Sequence, residues 1–359
     1  MSRDWRRLMI EPNTKIRKAL QIMDERASKL LLVCKNQKFK SVLSIGDIQR
    51  AILSNRSLED EINSILRDRI IIASAQDKEE DVRNLMLQHR IETMPIVDED
   101  QNVVDVIFWD QIFSEKKERV DTLHDIPVVI MAGGKGTRLK PITNIIPKPL
   151  IPLGEKPVLE WIIDSFNEVG VKNFHLTVNY KQDMIRSYFA NQPQRDYSIN
   201  YFEENKPLGT AGSLHLLKGK LKGTFFVTNC DILIKDDYSE MLKYHKSNGN
   251  ELTAVSAVKH FKIPYGTLEF GENGVLEKLK EKPEYNFFIN AGMYILEPHL
   301  LEEIPEDDFF HITTLIERIL DRNGKVGIFP VSEGSWMDIG QWDEYNKTSQ
   351  KLGYPGINL

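Results

Sequence analysis

The residues with the clearest chemical capacity are Gly133-Gly134-Lys135-Gly136-Thr137-Arg138-Leu139, directly after the apolar run Val128-Val129-Ile130-Met131. Glycines carry no Cβ, so their backbone N–H groups can come close to phosphate oxygens. Lys135 adds a point charge and Arg138 a planar fork of donors. Two better-known phosphate loops do not fit. A Walker A loop ends in Gly-Lys-Ser/Thr, where this chain has Gly136-Thr137-Arg138, and a dinucleotide fingerprint needs a third glycine where Leu139 stands. Lys148 follows ten residues after Arg138, in Pro147-Lys148-Pro149-Leu150. The flanking prolines hold the backbone extended and present the lysine from a stiff segment. Two aspartates follow predicted strands: Asp231 in Asn229-Cys230-Asp231, after Phe225 to Thr228, and Asp338 in Trp336-Met337-Asp338-Ile339-Gly340, after Gly327 to Val331. Taken alone, a strand-end aspartate is more often a cap or turn residue. Beside a phosphate loop the pair suits Mg²⁺, a hard ion that usually takes one or two carboxylates plus phosphate oxygens and water.

Such groups need strands to carry them. Val128 to Met131 reads as a strand buried on both faces of a parallel sheet. Pro157 to Val169 reads as a helix with Pro in its first turn and Gly170 ending it. Phe174 to Val178 is a predicted strand, Met184 to Ala190 a helix, and Phe225-Phe226-Val227 another buried strand. A further helix is expected after Ala211, and one from His311 to Leu320. Tyr265 to Phe270 and Val275 to Leu279 flank Gly271-Glu272-Asn273-Gly274, a strong hairpin signal. The pattern predicts a Rossmann-like α/β domain with a mixed sheet and an inserted antiparallel portion. Ligands in such sheets bind beyond the carboxyl ends of the strands.

At 359 residues, two domains are expected, 1–119 and 125–359, with the boundary in the charged stretch that begins Ser114-Glu115-Lys116-Lys117 and runs to Asp125. Hydrophobic residues are 41% and charged residues 28%, with a net charge of −6, which gives no support for general nucleic-acid binding. The two cysteines, Cys34 and Cys230, cannot build a disulfide framework, and no Cys or His lies at zinc-ligand spacing. The charged N-terminus leads into no apolar signal core, and apolar runs of five or six residues are far short of a membrane span. A cytoplasmic compartment without membrane contact is expected.

The first domain contains a repeat. Helix Thr14 to Met23, strand Leu30 to Cys34, strand Phe39 to Leu43 and a helix opened by Asp47 are followed by helix Asp77 to His89, strand Met94 to Val97, strand Val103 to Phe108 and Asp110. Asp47 and Asp110 are 63 residues apart. One copy cannot bury its own sheet face, so two copies should pack together as a tandem α+β module. With Gly46-Asp47-Ile48 and Pro95-Ile96-Val97-Asp98, residues 1 to about 113 resemble a pair of CBS domains. That resemblance implies a regulatory or dimerisation module, and hence a homo-oligomer, with an adenine nucleotide as a possible ligand. In that family a Ser or Thr three residues before the Asp helps hold ribose and phosphate. Ser44 fits before Asp47, whereas Ile107 stands before Asp110, so the second site is degenerate.

Residues 125–359 resemble the sugar-1-phosphate nucleotidyltransferases over their full length, through Gly133, Gly134, Gly136, Thr137, Arg138, Lys148, Asp231 and Asp338. The resemblance implies that the loop wraps a triphosphate, Lys148 binds substrate phosphates and the two aspartates hold Mg²⁺. Cys230 departs from the glycine more usual in that family. The resemblance further assigns Lys282, in Glu281-Lys282-Pro283, to the sugar's phosphate, and Glu281, Gly266 and Asn290 to the sugar. Glu204, Gly209 and Thr210, in Glu204 to Gly212, match the base-binding segment, with Gly209 and Gly212 admitting the nucleoside. A sugar phosphate already carries an anionic oxygen, so no general base is required. The enzyme's task is to offset repulsion between two phosphates with Arg138, Lys148, Lys282 and Mg²⁺.

A carboxylate only accepts hydrogen bonds, and guanine offers adjacent N1–H and N2–H donors, so Glu204 favours GTP. A CBS pair ahead of a transferase resembles the glucosamine-1-phosphate guanylyltransferases of legionaminic acid pathways. Mannose- or heptose-1-phosphate guanylyltransferases come next, then uridylyl- or thymidylyltransferases. A nucleotide-sensing regulatory protein without turnover is the alternative from another class.

Overall fold

The computed structural model describes residues 4–26, 28–67, 70–89, 91, 93–108, 123–192 and 195–356. The chain divides into two compact units, Met1–Glu118 and Arg119–Leu359. Among the described residues no helix is long and apolar enough to cross a membrane.

In the first unit, β1 (Met9–Ile10), β2 (Leu30–Lys35) and β3 (Lys38–Ser44) make one sheet, and β4 (Ala73–Ser74), β5 (Thr93–Val97) and β6 (Val103–Phe108) make a second. Both have the same wiring. The short first strand runs parallel to the middle one, the third is antiparallel, and a register shift falls at Val33/Cys34 in one copy and Ile96/Val97 in the other. The repeat therefore holds down to its irregularity. The copies meet at their turns, where Phe39 N donates to Gln101 O at 2.6 Å. Helix Ile16–Glu25 buries Ile16, Ala19, Leu20 and Met23, the four positions its period selects.

One helix start differs from expectation. The helix runs Ile45–Leu53, with Ser44 as N-cap and Asp47 inside its first turn. The two form a capping box, in which each side chain satisfies the other's backbone N–H. Asp110 and the 114–119 stretch lie outside the described residues.

The second unit contains β7 (Val128–Ala132), β8 (Pro152–Leu153), β9 (Lys156–Pro157), β10 (Asn173–Val178), β11 (Ser198–Glu203), β12 (Phe225–Asn229), β13 (Ile232–Ile234), β14 (Leu252–Lys262), β15 (Thr267–Phe270), β16 (Leu276–Lys280), β17 (Glu284–Leu296), β18 (Val326–Ser332) and β19 (Trp336–Asp338). Seven of them form a mixed sheet in the order β11-β10-β7-β12-β17-β14-β18. The first four are mutually parallel, while β17 is antiparallel to both β12 and β14. The pairs β8–β9, β13–β19 and β15–β16 stand apart. This is the expected Rossmann-like half joined to an antiparallel portion.

The alternation along β7 explains its unbroken apolar sequence. Val128, Ile130 and Ala132 face one core, together with Ile162, Ile163 and Phe166 of helix Val158–Asn167. Val129 faces a second core, together with Leu214 and with Leu315 and Ile319 of helix Ile312–Asp321. Both faces are covered, as a parallel sheet requires. Two helix expectations change. Pro157 is the extended N-cap of helix Val158–Asn167 and not its first turn. The segment after Ala211 is a 3-10 turn, Gly212–Leu217, and not an α-helix.

Phe166 is fully buried, stacked on Tyr238 at 4.3 Å and edge-on to Phe226 at 5.4 Å between ring centroids. Phe166→Ala should cost about 3–5 kcal/mol of unfolding free energy in urea, the range for truncating a buried aromatic.

Candidate active site

The order of the sheet decides where a site can form. From β7 the chain crosses to β10 on one side, and later returns to β12 on the other. A crevice opens at the carboxyl ends where the strand order reverses. The loop at 133–138 leaves β7 there, and Asn229-Cys230-Asp231 leaves β12 in register beside it, with Asn229 opposite Met131. Cys230 N donates to Met131 O at 3.3 Å.

The second aspartate arrives from far along the chain. β19 pairs antiparallel with β13, placing Asp338 opposite Ile232, and Ile339 N donates to Asp231 O at 2.8 Å. A methyl group at Gly340 would lie 2.7 Å from Asp338 Oδ1, 2.9 Å from Asp231 Oδ2 and 3.2 Å from Arg138 Nη2. Three charged side chains thus converge on one glycine. Lys148 completes the cluster through an ion pair with Asp231, the two side chains being only 12% and 10% exposed. Burial, and then the negative charge of Asp231, push the Asp338 carboxyl above the usual carboxylate range; the Gly340 N–H, Lys148 and Arg138 act against that shift. Lys282 does not join them. It is exposed, has φ +44°, and shares no hydrogen bond or ion pair with the other four among the described residues.

The loop itself is tightly backed. Gly136 has φ +63°, and a Cβ there would meet Lys148 Cβ at 2.9 Å and Thr143 Cγ2 at 3.0 Å. Thr143 Oγ1 donates to Gly136 O at 3.0 Å. On its outer side, Gly134 has nothing within 4 Å of a built Cβ, and Lys135 and Thr137 are exposed beside it. The backbone edge of the loop is therefore open to an incoming anion.

Sequence reasoning missed a supporting set at the end of β10. Tyr180 OH donates to Thr143 O at 3.0 Å, Lys181 Nζ donates to Asn144 O and Ile145 O at 2.6 Å each, and Asn179 Nδ2 donates to Glu204 O. The Tyr180 and Lys181 bonds hold the segment that delivers Lys148, and the Asn179 bond ties the end of β10 to the end of β11. The readable signal was position, since Asn179-Tyr180-Lys181 follows a neighbouring strand at the same sheet edge.

Several expected nucleotide-side residues have different surroundings from those anticipated. Glu204 is 7% exposed, and its carboxylate lies beside the Thr177 and Ser213 hydroxyls and the Leu208 N–H, with Ser213 Oγ donating to Thr177 Oγ1 at 3.1 Å. Burial raises its pKa, and those donors partly offset the rise. It turns into the protein beneath the loop, with Oε1 lying 2.5 Å from where a Gly133 Cβ would be. Gly209 and Gly212 make room for protein backbone. Their Cβ atoms would sit 2.7 Å from Phe310 O and 2.6 Å from Asp308 O. Thr210 Oγ1 accepts from Ile312 N at 3.1 Å and so satisfies a donor at the start of helix Ile312–Asp321.

On the sugar side, a Cβ at Gly266 would lie 3.0 Å from Glu281 Oε2, so these two are neighbours. Asn290 Oδ1 accepts from Gly292 N at 3.0 Å, and a Gly292 Cβ would come within 2.7 Å of Asn229 Nδ2, tying this strand to the end of β12. Cys230 packs in the core beside β7, where burial and the Asp231 charge push its thiol up to about 12. Its side chain is turned away from the crevice chemistry.

In the first unit, Ser44 and Asp47 are engaged by more than each other. Arg67 donates to Ser44 Oγ and to Asp47 Oδ1, each at 2.6 Å, and Arg50 also pairs with Asp47. Burial alone would raise the Asp47 carboxyl, but hydrogen bonds from Arg67 and Ser44 outweigh it and hold the group below its usual range.

No cluster of three or more His, Cys, Asp or Glu suited to a metal occurs among the described residues. Asp231 and Asp338 supply two hard oxygen donors, leaving the remaining ligands to phosphate and water, which is the coordination habit of Mg²⁺.

The family model described as nucleotidyl transferase matches residues 127–353. The chain belongs to that family. The CBS domain model matches 3–54 and 62–118. Probable mannose-1-phosphate guanylyltransferase 1 of Oryza sativa subsp. japonica is 34% identical over 225 residues, covering 60% of this chain and 62% of that protein. The mannose-1-phosphate guanylyltransferase catalytic subunit beta of Danio rerio is 34% identical over 222 residues, 59% of this chain and 61% of its own. The chain thus spans about 62% of the length of such relatives. Among solved structures, HddC from Yersinia pseudotuberculosis matches with TM-score 0.50 and 27% identity, over 63% of this chain and 99% of HddC. HddC has also been solved complexed with GMP-PN.

Removing Lys148 would leave the buried Asp231 without its ion-pair partner and facing the half-buried Asp338. Lys148→Met should therefore lower stability by about 3 kcal/mol in urea unfolding, as for other buried pairs broken on one side. Adding Asp338→Asn should return part of that loss, a coupling that a double-mutant cycle reads directly.

Proposed function

We propose that the chain transfers GMP from GTP to a sugar 1-phosphate, releasing pyrophosphate, with residues 125–359 as the catalytic domain and residues 1–119 as a regulatory or dimerising CBS module in a cytoplasmic protein. The observation that carries this reading is the convergence of Arg138, Lys148, Asp231 and Asp338 at the carboxyl ends of β7 and β12. Guanine as the base is supported by the guanylyltransferase names of the relatives more than by Glu204, whose carboxylate is buried beside Thr177, Ser213 and the Leu208 N–H.

In this reading the open N–H edge at Gly133, Gly134 and Gly136, with Lys135 and Thr137, receives the triphosphate. Asp231 and Asp338 would hold Mg²⁺, which when bound would supply positive charge beside the phosphate oxygens. Arg138 and Lys148 offset the repulsion between the two substrates, Lys148 exchanging Asp231 for phosphate as it does so. The sugar phosphate's anionic oxygen attacks the α-phosphorus, a P–O bond forms, and pyrophosphate leaves with the electron pair of the broken bond. No side chain need remove a proton. Lys282, Glu281, Gly266 and Asn290 receive the sugar phosphate on the antiparallel side, with Lys282 moving in from its exposed position. Glu204, Gly209 and Thr210 shape the base-side segment from beneath. Asp47 and Ser44 remain the positions for an adenine nucleotide, which must compete with Arg67.

For the acceptor, the CBS-headed architecture supports glucosamine 1-phosphate as the first choice. A second reading, mannose 1-phosphate, is favoured by the relatives' names.

Pyrophosphate release should be seen with GTP and one of these sugar 1-phosphates, disappear with a chelator and return with Mg²⁺. Asp231→Asn should lower turnover at least about a hundredfold, the loss typical of removing one electrostatic stabiliser. Undiminished turnover in that variant would refute the metal role, and no release with any nucleoside triphosphate would leave the regulatory reading. An adenylate that neither binds nor changes the rate would leave the CBS pair an assembly role alone.

A further inference from the structure

The β15–β16 hairpin has two unlike faces, of which the apolar one is open. Leu268 stands opposite Leu279 and Phe270 opposite Leu276. Directly opposed residues of an antiparallel pair point to the same side, and Leu268 and Phe270, two apart, share a side as well. A register shift between Glu269 and Phe270 brings Leu276 and Leu279, three residues apart, onto this same face. Thr267, Glu269, Lys278 and Lys280 take the other face, where Lys280 Nζ pairs with Glu269 Oε1 at 3.2 Å. The apolar four are between 55% and 73% exposed, and Val275 at the turn is 64% exposed.

Such a hairpin should not stand uncovered. A two-stranded ribbon is marginal in water unless further strands or a packed face support it. The four opposed apolar side chains, each more than half exposed, form one patch of the order of a few hundred Å², the size of the largest apolar patches on monomers. A standard interface takes about 800 Å² from each partner, and homodimer interfaces are about 65% apolar, so this face with its polar rim matches one side of such a contact. The charge of the rim narrows the choice of occupant. The hairpin and its flanks carry Glu269, Glu272, Glu277 and Glu281 against Lys278, Lys280 and Lys282. A slight acidic excess disfavours nucleic acid or an anionic membrane, and mixed signs suit a two-fold contact in which each rim meets its own copy.

We propose that the apolar face of this hairpin, formed by Leu268, Phe270, Leu276 and Leu279, is an interface with a second copy of the chain. The interface is separate from any association through the CBS module. It joins the hairpins of two catalytic units directly beside Gly266 and Glu281-Lys282, which flank the hairpin in sequence.

The test is the mass of the full chain by sedimentation at micromolar concentration. Leu268→Glu combined with Leu279→Glu should halve the mass, from tetramer to dimer if the CBS module also pairs, and from dimer to monomer if it does not. The milder Leu279→Ser should raise the dissociation constant of that step at least tenfold with an unchanged melting temperature, and it decides the matter should the double variant fold poorly. A mass unaltered by both changes overturns the proposal. So does binding of the wild-type chain to phosphatidylglycerol vesicles that is lost in the variants without any change in mass, which would assign the face to a membrane.

Discussion

Two carboxylates held in mutual repulsion inside a crevice are the constraint around which the catalytic unit is built. Asp231 and Asp338 lie close enough that the charge of one raises the pKa of the other, and both are largely removed from water. Such an arrangement persists only where the surrounding fold over-determines it. Here Lys148 and Arg138 supply the nearby positive charge, the β13–β19 pairing fixes the approach, and Gly340 leaves the space that any side chain would fill.

Support for the cluster comes from behind. Glu204 sits under Gly133 beside Thr177, Ser213 and the Leu208 N–H, joining the ends of β10 and β11 to the loop that leaves β7. Tyr180 and Lys181 hold the carbonyls of 143–145, and the short stiff stretch that follows ends at Lys148. Cores on both faces of β7 and β12 fix the sheet beneath. A reaction that depends on placing charged groups needs this rigidity, because positioning supplies much of the rate.

The glycine loop and the two aspartates were legible because each follows a predicted strand, and strands buried on both faces announce themselves as short apolar runs, while Lys148 was legible from the prolines that flank it. The repeat in the first unit was legible through its spacing. Three things were not. The pairing of β13 with β19 involves strands of three residues, too short for any periodicity to mark. The inward turn of Glu204 beside Thr177 was not legible, because Thr177 belongs to the neighbouring strand β10 and lies outside the local motif. Glycines are ambiguous in the same way: Gly209 and Gly212 admit the backbone of 308–310, although an open pocket for a nucleoside would call for the same residue. Ser44 and Asp47 carry a capping-box spacing that the helix start uses.

The late arrival of Asp338 bears on how the protein comes into being. Synthesis proceeds from the N-terminus, and domains fold largely as their residues emerge. The glycine loop, Lys148 and Asp231 are all made well before β19, so an unfinished chain can shape the anion cradle while lacking the partner carboxylate that crowds it. Closing that long loop carries an entropic cost that grows only slowly with length, so the step is affordable once the last strand exists. A ribosome-bound intermediate would therefore be free of the electrostatic conflict during sheet formation and meet it only when the fold around it is already in place.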